Sequence, residues 1–260
     1  MILTLTPNPS LDRTVSLPGP LQRGAVQRLT GVVMEPGGKG VNVARVLSNA
    51  GRAATTVLPA AENDPILTAL GALELPGLTV RSVPVAGPAR INTAVTEPDG
   101  TTTKLNELGA GLSEEEIDAV EQALLETLTL TGVSAEADTH HWAVLSGSLP
   151  PGAPARWYAR LVGLLREAAP GLRIAVDTSD EPLAALAAEL PGSAPDLIKP
   201  NGEELGQLAG LPAERAMALE EGAVEGSYGP VVDAARLLVG LGIGAVMVTL
   251  GPAGAVLVTA

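Results

Sequence analysis

The sequence predicts an α/β fold, a mostly parallel sheet with helices on both faces. Three observations predict it. Short Val-, Ile- and Leu-rich runs alternate with segments of helical periodicity along the 260 residues. The strand-like runs are almost continuously apolar, as strands buried on two faces are. Hydrophobic residues make up 46% of the chain, enough for a substantial core, yet aromatics are 2% and Phe is absent. That core is therefore built from Leu, Val, Ala and Ile.

The first strand is expected at Ile2–Thr6. A helix is expected to start at the glycine pair Gly37-Gly38, with Lys39 and Asn42 on its first turn. Further strands are expected at Thr55–Pro59, Trp142–Ser146, Arg173–Asp177, Asp196–Lys199 and Ala245–Leu250. Glu114–Leu130 is the clearest helix. Ser113 and Glu116 form a capping box, and Ile117, Val120, Leu124, Leu125 and Leu128 make one apolar stripe. Helices are also expected over Ala153–Ala169 and Gly229–Gly240, with Leu211–Gly229 as a variable loop. In such a sheet, ligands sit beyond the carboxyl ends of the strands.

Two stretches break the rhythm. Thr14–Met34 alternates apolar and polar residues, and Arg90–Glu107 carries Asp99-Gly100 between two Thr/Val-rich arms, a hairpin signal. Both read as antiparallel strands of a small separate sheet. A lid, a dimer contact and a plain surface hairpin all fit that pattern.

Composition narrows the chemistry. There is no Cys, which excludes disulfides, thiol catalysis and Cys-ligated zinc. Only His140 and His141 exist, and they read as a surface loop before a strand. No apolar segment reaches the roughly 20 residues of a membrane span. The first residues lack the basic region of a signal peptide, so a cytoplasmic protein without membrane partners is expected. A net charge of −13 and a pI near 4.6 argue against nucleic acid. Against that acidic background, residues 1–60 hold six cations and only two anions, Asp12 and Glu35. A positive region in an acidic protein attracts a small anionic ligand.

The most informative segment is Gly-Gly-Lys-Gly-Val-Asn, residues 37–42. Bare glycines let a ligand approach the backbone. The first amides of a helix favour an anion or a sugar hydroxyl. Lys39 and Asn42, three apart, share a face and supply a charge and an amide. The combination suits a phosphorylated sugar. It is neither a Walker A loop, since Gly40 follows Lys39, nor a dinucleotide fingerprint.

At this point the chain resembles the ribokinase-like, PfkB-type carbohydrate kinases. The resemblance rests on Thr-Pro-Asn-Pro-Ser-Leu-Asp-Arg-Thr (6–14), Glu-Pro-Gly-Gly-Lys-Gly-Val-Asn-Val-Ala-Arg (35–45), Lys-Leu-Asn-Glu (104–107), Leu-Ser-Gly-Ser-Leu-Pro-Pro-Gly (145–152), Val-Asp-Thr-Ser (176–179), Lys-Pro-Asn-Gly-Glu-Glu-Leu (199–205) and Val-Thr-Leu-Gly-Pro-Ala-Gly (248–254), in family order. It implies one three-layer α/β/α sandwich over 1–260 with a β lid from about 12–35 and 88–108. It also implies ATP and Mg²⁺, and a homodimer through the lid.

Carried onto this sequence, Asp12 and Asn42 hold sugar hydroxyls, and Gly37, Gly38 and Lys39 form the turn at sugar and phosphate. Arg90 grips the substrate's existing phosphate, Arg23 (or Arg28) reaches a phosphate from the lid, and Ser146 touches the sugar phosphate. Asn201, Glu204 and Asp177 organise Mg²⁺, although Asp177 also suits a helix N-cap. Lys199, Thr249, Gly251 and Gly254 line the ATP site. The resemblance implies phosphorylation of fructose 1-phosphate at its 6-hydroxyl. Tagatose 6-phosphate, fructose 6-phosphate and a non-catalytic sugar-phosphate binder are the alternatives.

Two departures stand out. Leu108 occupies a position where Pro is usual, which is expected to loosen the hairpin's exit. The family's Gly-X-Gly-Asp loop, source of the general base, does not occur in 1–260. The C-terminal part of the fold is thus expected to be missing from this chain, and 1–260 alone is expected to be inactive.

Overall fold

The computed structural model describes residues 1–130 and 141–260. In chain order the elements are β1 (Ile2–Leu5), β2 (Ser10–Ser16), β3 (Gly31–Gly37), α1 (Lys39–Asn49), β4 (Ala54–Ala60), α2 (Pro65–Ala72), β5 (Leu78–Pro84), β6 (Arg90–Thr96), β7 (Thr102–Asn106) and α3 (Glu114–Leu130). There follow β8 (Trp142–Ser146), α4 (Trp157–Ala168), β9 (Arg173–Asp177), α5 (Asp180–Ala188), β10 (Leu197–Ile198), α6 (Gly202–Leu208), α7 (Ala213–Val224), α8 (Gly229–Gly240), β11 (Ala245–Thr249) and β12 (Ala255–Thr259). This is an α/β fold with mostly parallel strands and a smaller sheet.

The chain divides into two compact units. The first comprises Met1–Leu5, Leu124–Leu149 and Pro154–Ala260. In it β1, β8, β9, β10 and β11 pair in parallel, and β12 runs antiparallel on β11. Leu3, Leu5, Ala143, Leu145, Ile174 and Val176 are buried, as the apolar runs predict. α4 buries Trp157 and Tyr158 completely. Its helix starts at Trp157 rather than Ala153 because Ala153 and Trp157 close turns on Pro150 and Pro154 first.

The segment expected to be a loop, Leu211–Gly229, is a correction. Twelve of its residues form α7, with Ala216, Leu219 and Ala223 buried. Ala and Glu are strong helix formers, and this helix packs closely on α6. A Cβ at Gly206 would come within 2.5 Å of the Ala216 Cα, so only glycine fits the crossing.

The second unit comprises Thr6–Ala123 and Pro150–Ala153. It holds the parallel pair β4–β5 and a four-stranded sheet in the order β3-β2-β6-β7. The Asp99-Gly100 turn forms as the sequence predicts. The Thr101 amide donates to Asp99 Oδ1 at 2.9 Å, and Gly100 has φ 90°. The small sheet is not wholly antiparallel, however. β2–β3 and β6–β7 are, but the central β2–β6 seam is parallel. The two hairpins lie side by side in the same direction, which the long connection through α1, β4, α2 and β5 permits.

The Ser113–Glu116 capping box opens α3: the Ser113 amide donates to Glu116 Oε2 at 2.8 Å, and the Glu116 amide to Ser113 Oγ at 3.2 Å. The other Glu116 oxygen accepts from Ala86 N at 2.7 Å. No helix of the described residues is long and apolar enough to cross a membrane.

Candidate active site

The predicted residues fall into two groups, one in each unit. In the second unit, strand register builds the site. Ser10 stands opposite Gly37 on one side and Arg90 on the other; Asp12 stands opposite Glu35 and Asn92, and Asn92 opposite Asn106. Side chains of a strand alternate, so these residues share one face of the sheet. The opposite face carries Leu11, Val15 and Val95, which are buried.

Asp12 is the hub. Its Oδ1 accepts from Ser10 Oγ at 2.8 Å and from Asn92 Nδ2 at 3.2 Å. Gly37 is glycine because of this carboxylate: a Cβ there would lie 2.5 Å from Asp12 Cγ. Gly38 is glycine for two reasons, φ of 104° and a Cβ position 2.5 Å from Thr6 Cγ2. The Thr6 hydroxyl accepts from the Val41 amide at 2.8 Å, supplying the cap that Gly38 lacks. Arg45 fastens α1 to the end of β3. It donates to the Pro36 carbonyl at 2.8 Å, pairs with Glu35 at 3.0 Å and reaches Asn42 Oδ1 at 3.4 Å. Lys39 and Asn42 are exposed on the first turn of α1.

Arg90 is half-buried. Burial pushes its guanidinium pKa below the usual arginine range, and the charge of Asp12 partly opposes this. Its Nη1 reaches the Glu107 carbonyl at 3.4 Å, but its Nε is buried and unpartnered. The start of its strand is held by buried Asp64, which caps α2 through Ile66 N and accepts from Ala89 N at 2.6 Å. The hairpin's exit is held despite Leu108. Asn8 Nδ2 donates to the Leu108 carbonyl at 2.9 Å, and Gly109 leaves room for Asn8. Arg23 and Arg28 are exposed in the connection between β2 and β3.

In the first unit, the remaining residues collect at the carboxyl ends of parallel strands. Ser146 ends β8 opposite Asp177, which ends β9. Lys199 follows β10, and its Nζ lies 3.4 Å from Asp177 Oδ1. Thr249 ends β11, bridges Asn201 and bonds through its amide to the Pro200 carbonyl at 3.0 Å. Asp177 is not a helix cap: α5 begins at Asp180 with Ser179 as N-cap. Asn201 and Glu204 form a capping box on α6, each side chain accepting from the other's amide at 2.8 Å. Gly251 and Gly254 have φ of 50° and 86°, and a Cβ at Gly251 would lie 2.5 Å from Glu220 Oε1.

Two residues of this group were not singled out from the sequence. Glu220 comes from the segment expected to be a loop. Fully buried Tyr158 donates to the Gly147 carbonyl at 2.9 Å; burial, then the Asp177 charge, pushes its pKa well above the ordinary tyrosine value. Thr178 Oγ1 donates to the same carbonyl at 3.0 Å, so the Ser146-Gly147 turn is rigidly held.

His141 lies beside β8 with Nδ1 2.9 Å from the Met1 amino nitrogen, and His140 lies outside the described residues. Among the described residues no three His, Cys, Asp or Glu side chains cluster to hold a metal. Asp177, Asn201 and Glu204 are nevertheless oxygen donors of the kind Mg²⁺ accepts. The ion keeps most of its water, so few protein ligands suffice.

Five buried side-chain polar atoms lack a hydrogen-bond partner among the described residues, and three belong to these groups: Arg90 Nε, Asn92 Oδ1 and Ser146 Oγ. The other two, Thr4 Oγ1 and Thr56 Oγ1, lie in β1 and β4; such orphans are uncommon, and each calls for an explanation.

Residues 8–260 match the model of the pfkB family carbohydrate kinases. The chain belongs to the PfkB family. One PfkB relative, 1-phosphofructokinase of Rhodobacter capsulatus, is 36% identical over 260 residues, 99% of this chain and 73% of that one. ATP-dependent 6-phosphofructokinase isozyme 2 of Escherichia coli is 34% identical over 210 residues, 80% of this chain and 62% of its own. The crystal structure of phosphofructokinase-2 from Escherichia coli in complex with fructose-6-phosphate superposes with a TM-score of 0.82 and 30% identity, covering 100% of this chain and 77% of that one.

Proposed function

We propose that this PfkB carbohydrate kinase acts on a sugar that already bears one phosphate, fructose 1-phosphate, transferring a phosphoryl group from ATP to its 6-hydroxyl. The observation that carries the reading is the row of Ser10, Asp12 and Asn92 beside a half-buried Arg90. A carboxylate fixed by two donors accepts sugar hydroxyls. A desolvated guanidinium with an unpartnered Nε suits a phosphate bound by charge-assisted hydrogen bonds. A neutral sugar gives such an arginine no counter-charge. Likeness to 1-phosphofructokinase supports fructose 1-phosphate. The fructose-6-phosphate complex of the Escherichia coli relative supports fructose 6-phosphate as the second reading.

In this reading Lys199, Thr249, Gly251 and Gly254 serve the nucleotide. Lys199 brings positive charge to phosphates and exchanges its Asp177 contact for them. The small residues let backbone amides approach ribose and phosphate. Asp177, Asn201 and Glu204 would hold Mg²⁺ through water; bound there, the ion neutralises phosphate charge. The Asn201–Glu204 box fixes the orientation of both side chains before any ligand arrives. Catalysis is then chiefly positioning and charge neutralisation. No residue in 1–260 is assigned as general base, since Gly-X-Gly-Asp is absent from it. The 1–260 polypeptide is expected to bind ligands without useful turnover, and turnover by it would mean the base is misplaced.

The small sheet serves as a lid and, in this proposal, as the contact of a homodimer in the cytoplasm. Val32, Met34 and Leu105 are 51%, 50% and 60% exposed on the face opposite Asp12, an apolar surface that a second copy would cover. Sedimentation of Met34→Asp against wild type tests this; identical masses would remove the lid from the contact.

The substrate reading is tested by calorimetric titration of fructose 1-phosphate into wild type and Arg90→Ala. Affinity is expected to fall by roughly 10- to 100-fold in the variant, the worth of a hydrogen-bonded charge pair. Equal affinity would remove Arg90 from the phosphate site.

A further inference from the structure

So far Asn92 serves only to hold the Asp12 carboxylate, which it does together with Ser10. Strand register sets it directly across from Asp12 on the parallel β2–β6 seam. A carboxylate only accepts hydrogen bonds, so the Asn92 amide must turn Nδ2 toward it, and Nδ2 does lie 3.2 Å from Asp12 Oδ1. That turns Oδ1 away from the carboxylate, where it is buried and accepts from no protein group. Asp12 Oδ1 is already engaged by Ser10 and Asn92, which leaves Oδ2 as the oxygen for a ligand. Two acceptors, Asp12 Oδ2 and Asn92 Oδ1, thus stand on one sheet face beside the buried, unpartnered Nε donor of Arg90.

We infer that Asn92 is a direct sugar-binding residue: its Oδ1 accepts from a ring hydroxyl next to the one that Asp12 takes, so the pair reads a vicinal diol. The inference rests on the second unit being the sugar-phosphate half. The hydroxyls of a sugar are donors, and two adjacent acceptors match two adjacent hydroxyls. Arg90, two residues earlier on the same strand and face, is one strand repeat away, about 6–7 Å. That spacing suits a phosphate carried on the far side of the sugar ring from the diol. Asn92 also fixes Asp12, so one side chain both holds its neighbour and extends the recognition surface.

The test separates sugar from phosphate. Calorimetry of fructose 1-phosphate and of inorganic phosphate is run on wild type, Asn92→Ala and Asn92→Leu. Leu keeps the volume and suits the sheet if Ala disturbs folding, and circular dichroism checks both. Fructose 1-phosphate affinity is expected to fall roughly 10-fold or more in each variant, with inorganic phosphate affinity unchanged. Arg90→Ala is expected to lose both ligands. Unchanged fructose 1-phosphate affinity, or equal losses for both ligands, would overturn the Asn92 assignment and leave the sugar-phosphate reading in place. A wild type that binds inorganic phosphate but no sugar phosphate would overturn both.

Discussion

Gly37→Ala is the sharpest perturbation the structure offers, because its backbone tolerates Ala while one neighbour does not. Gly37 is not among the residues with positive φ, so the change introduces no left-handed strain. Its Cβ would stand 2.5 Å from Asp12 Cγ, against 3.4 Å for an ordinary contact. The carboxylate must move by about 1 Å. The move stretches the 2.8 Å bond from Ser10 and the 3.2 Å bond from Asn92 beyond useful length. Crowding of this kind costs roughly 1–3 kcal/mol in stability. Loss of the aligned charged acceptor should weaken fructose 1-phosphate by roughly 10- to 100-fold, at 1.4 kcal/mol per decade. ATP affinity should not change. Urea unfolding and calorimetry of Gly37→Ala, Asp12→Ala and the double variant give a complete cycle. With the carboxylate gone, Gly37→Ala should cost almost nothing further in stability. Wild-type sugar-phosphate affinity in Gly37→Ala, or the same destabilisation in the Asp12→Ala background, would refute the steric argument.

Other outcomes follow from the same geometry. Thr6→Val keeps the shape but removes the acceptor of the Val41 amide, and should cost roughly 1–2 kcal/mol of stability in urea unfolding, while Thr6→Ser should retain most of it. Glu204→Gln should reduce the Mg²⁺ dependence of ATP binding; an unaltered Mg²⁺ titration would remove Glu204 from the metal site. Glu116 accepts from the Ser113 and Ala86 amides, which lower its pKa in the folded state. Its contribution is therefore present above the unfolded carboxylate range and is lost as pH falls through the lowered folded value. Wild type should lose more stability than Glu116→Gln across that acidic interval, and parallel pH–stability curves would contradict this.

Much of the fold was legible because it is local. The Ser113 capping box, the Asp99-Gly100 turn and the apolar strands need only short-range information, and each formed. The glycine pair was legible for an incomplete reason. Its sequence suggests room for a ligand, whereas the structure traces Gly37 to the Asp12 carboxylate and Gly38 to the Thr6 methyl as well as to its own φ. α7 was missed because an Ala-, Glu- and Gly-rich segment carries a weak apolar period, and its packing surface is made of small residues fitted to Gly206. Asn92 left a signal that went unread: it stands two residues from Arg90 in a strand, hence on the same face. The parallel β2–β6 seam left none, since register between distant strands is a tertiary property.

That seam also orders the birth of the protein. β2 ends at Ser16 and its partner β6 is complete only at Thr96. At ribosomal speeds of about 5–20 residues per second, the nascent chain waits about 4–16 s between them. Throughout that interval one flank of β2 has no neighbour and stays open to intruding strands, a hazard for any long-range pairing. Asp12 has no Asn92 to face until β6 arrives. The pairing that closes this edge is thus among the last the second unit can make as its chain emerges.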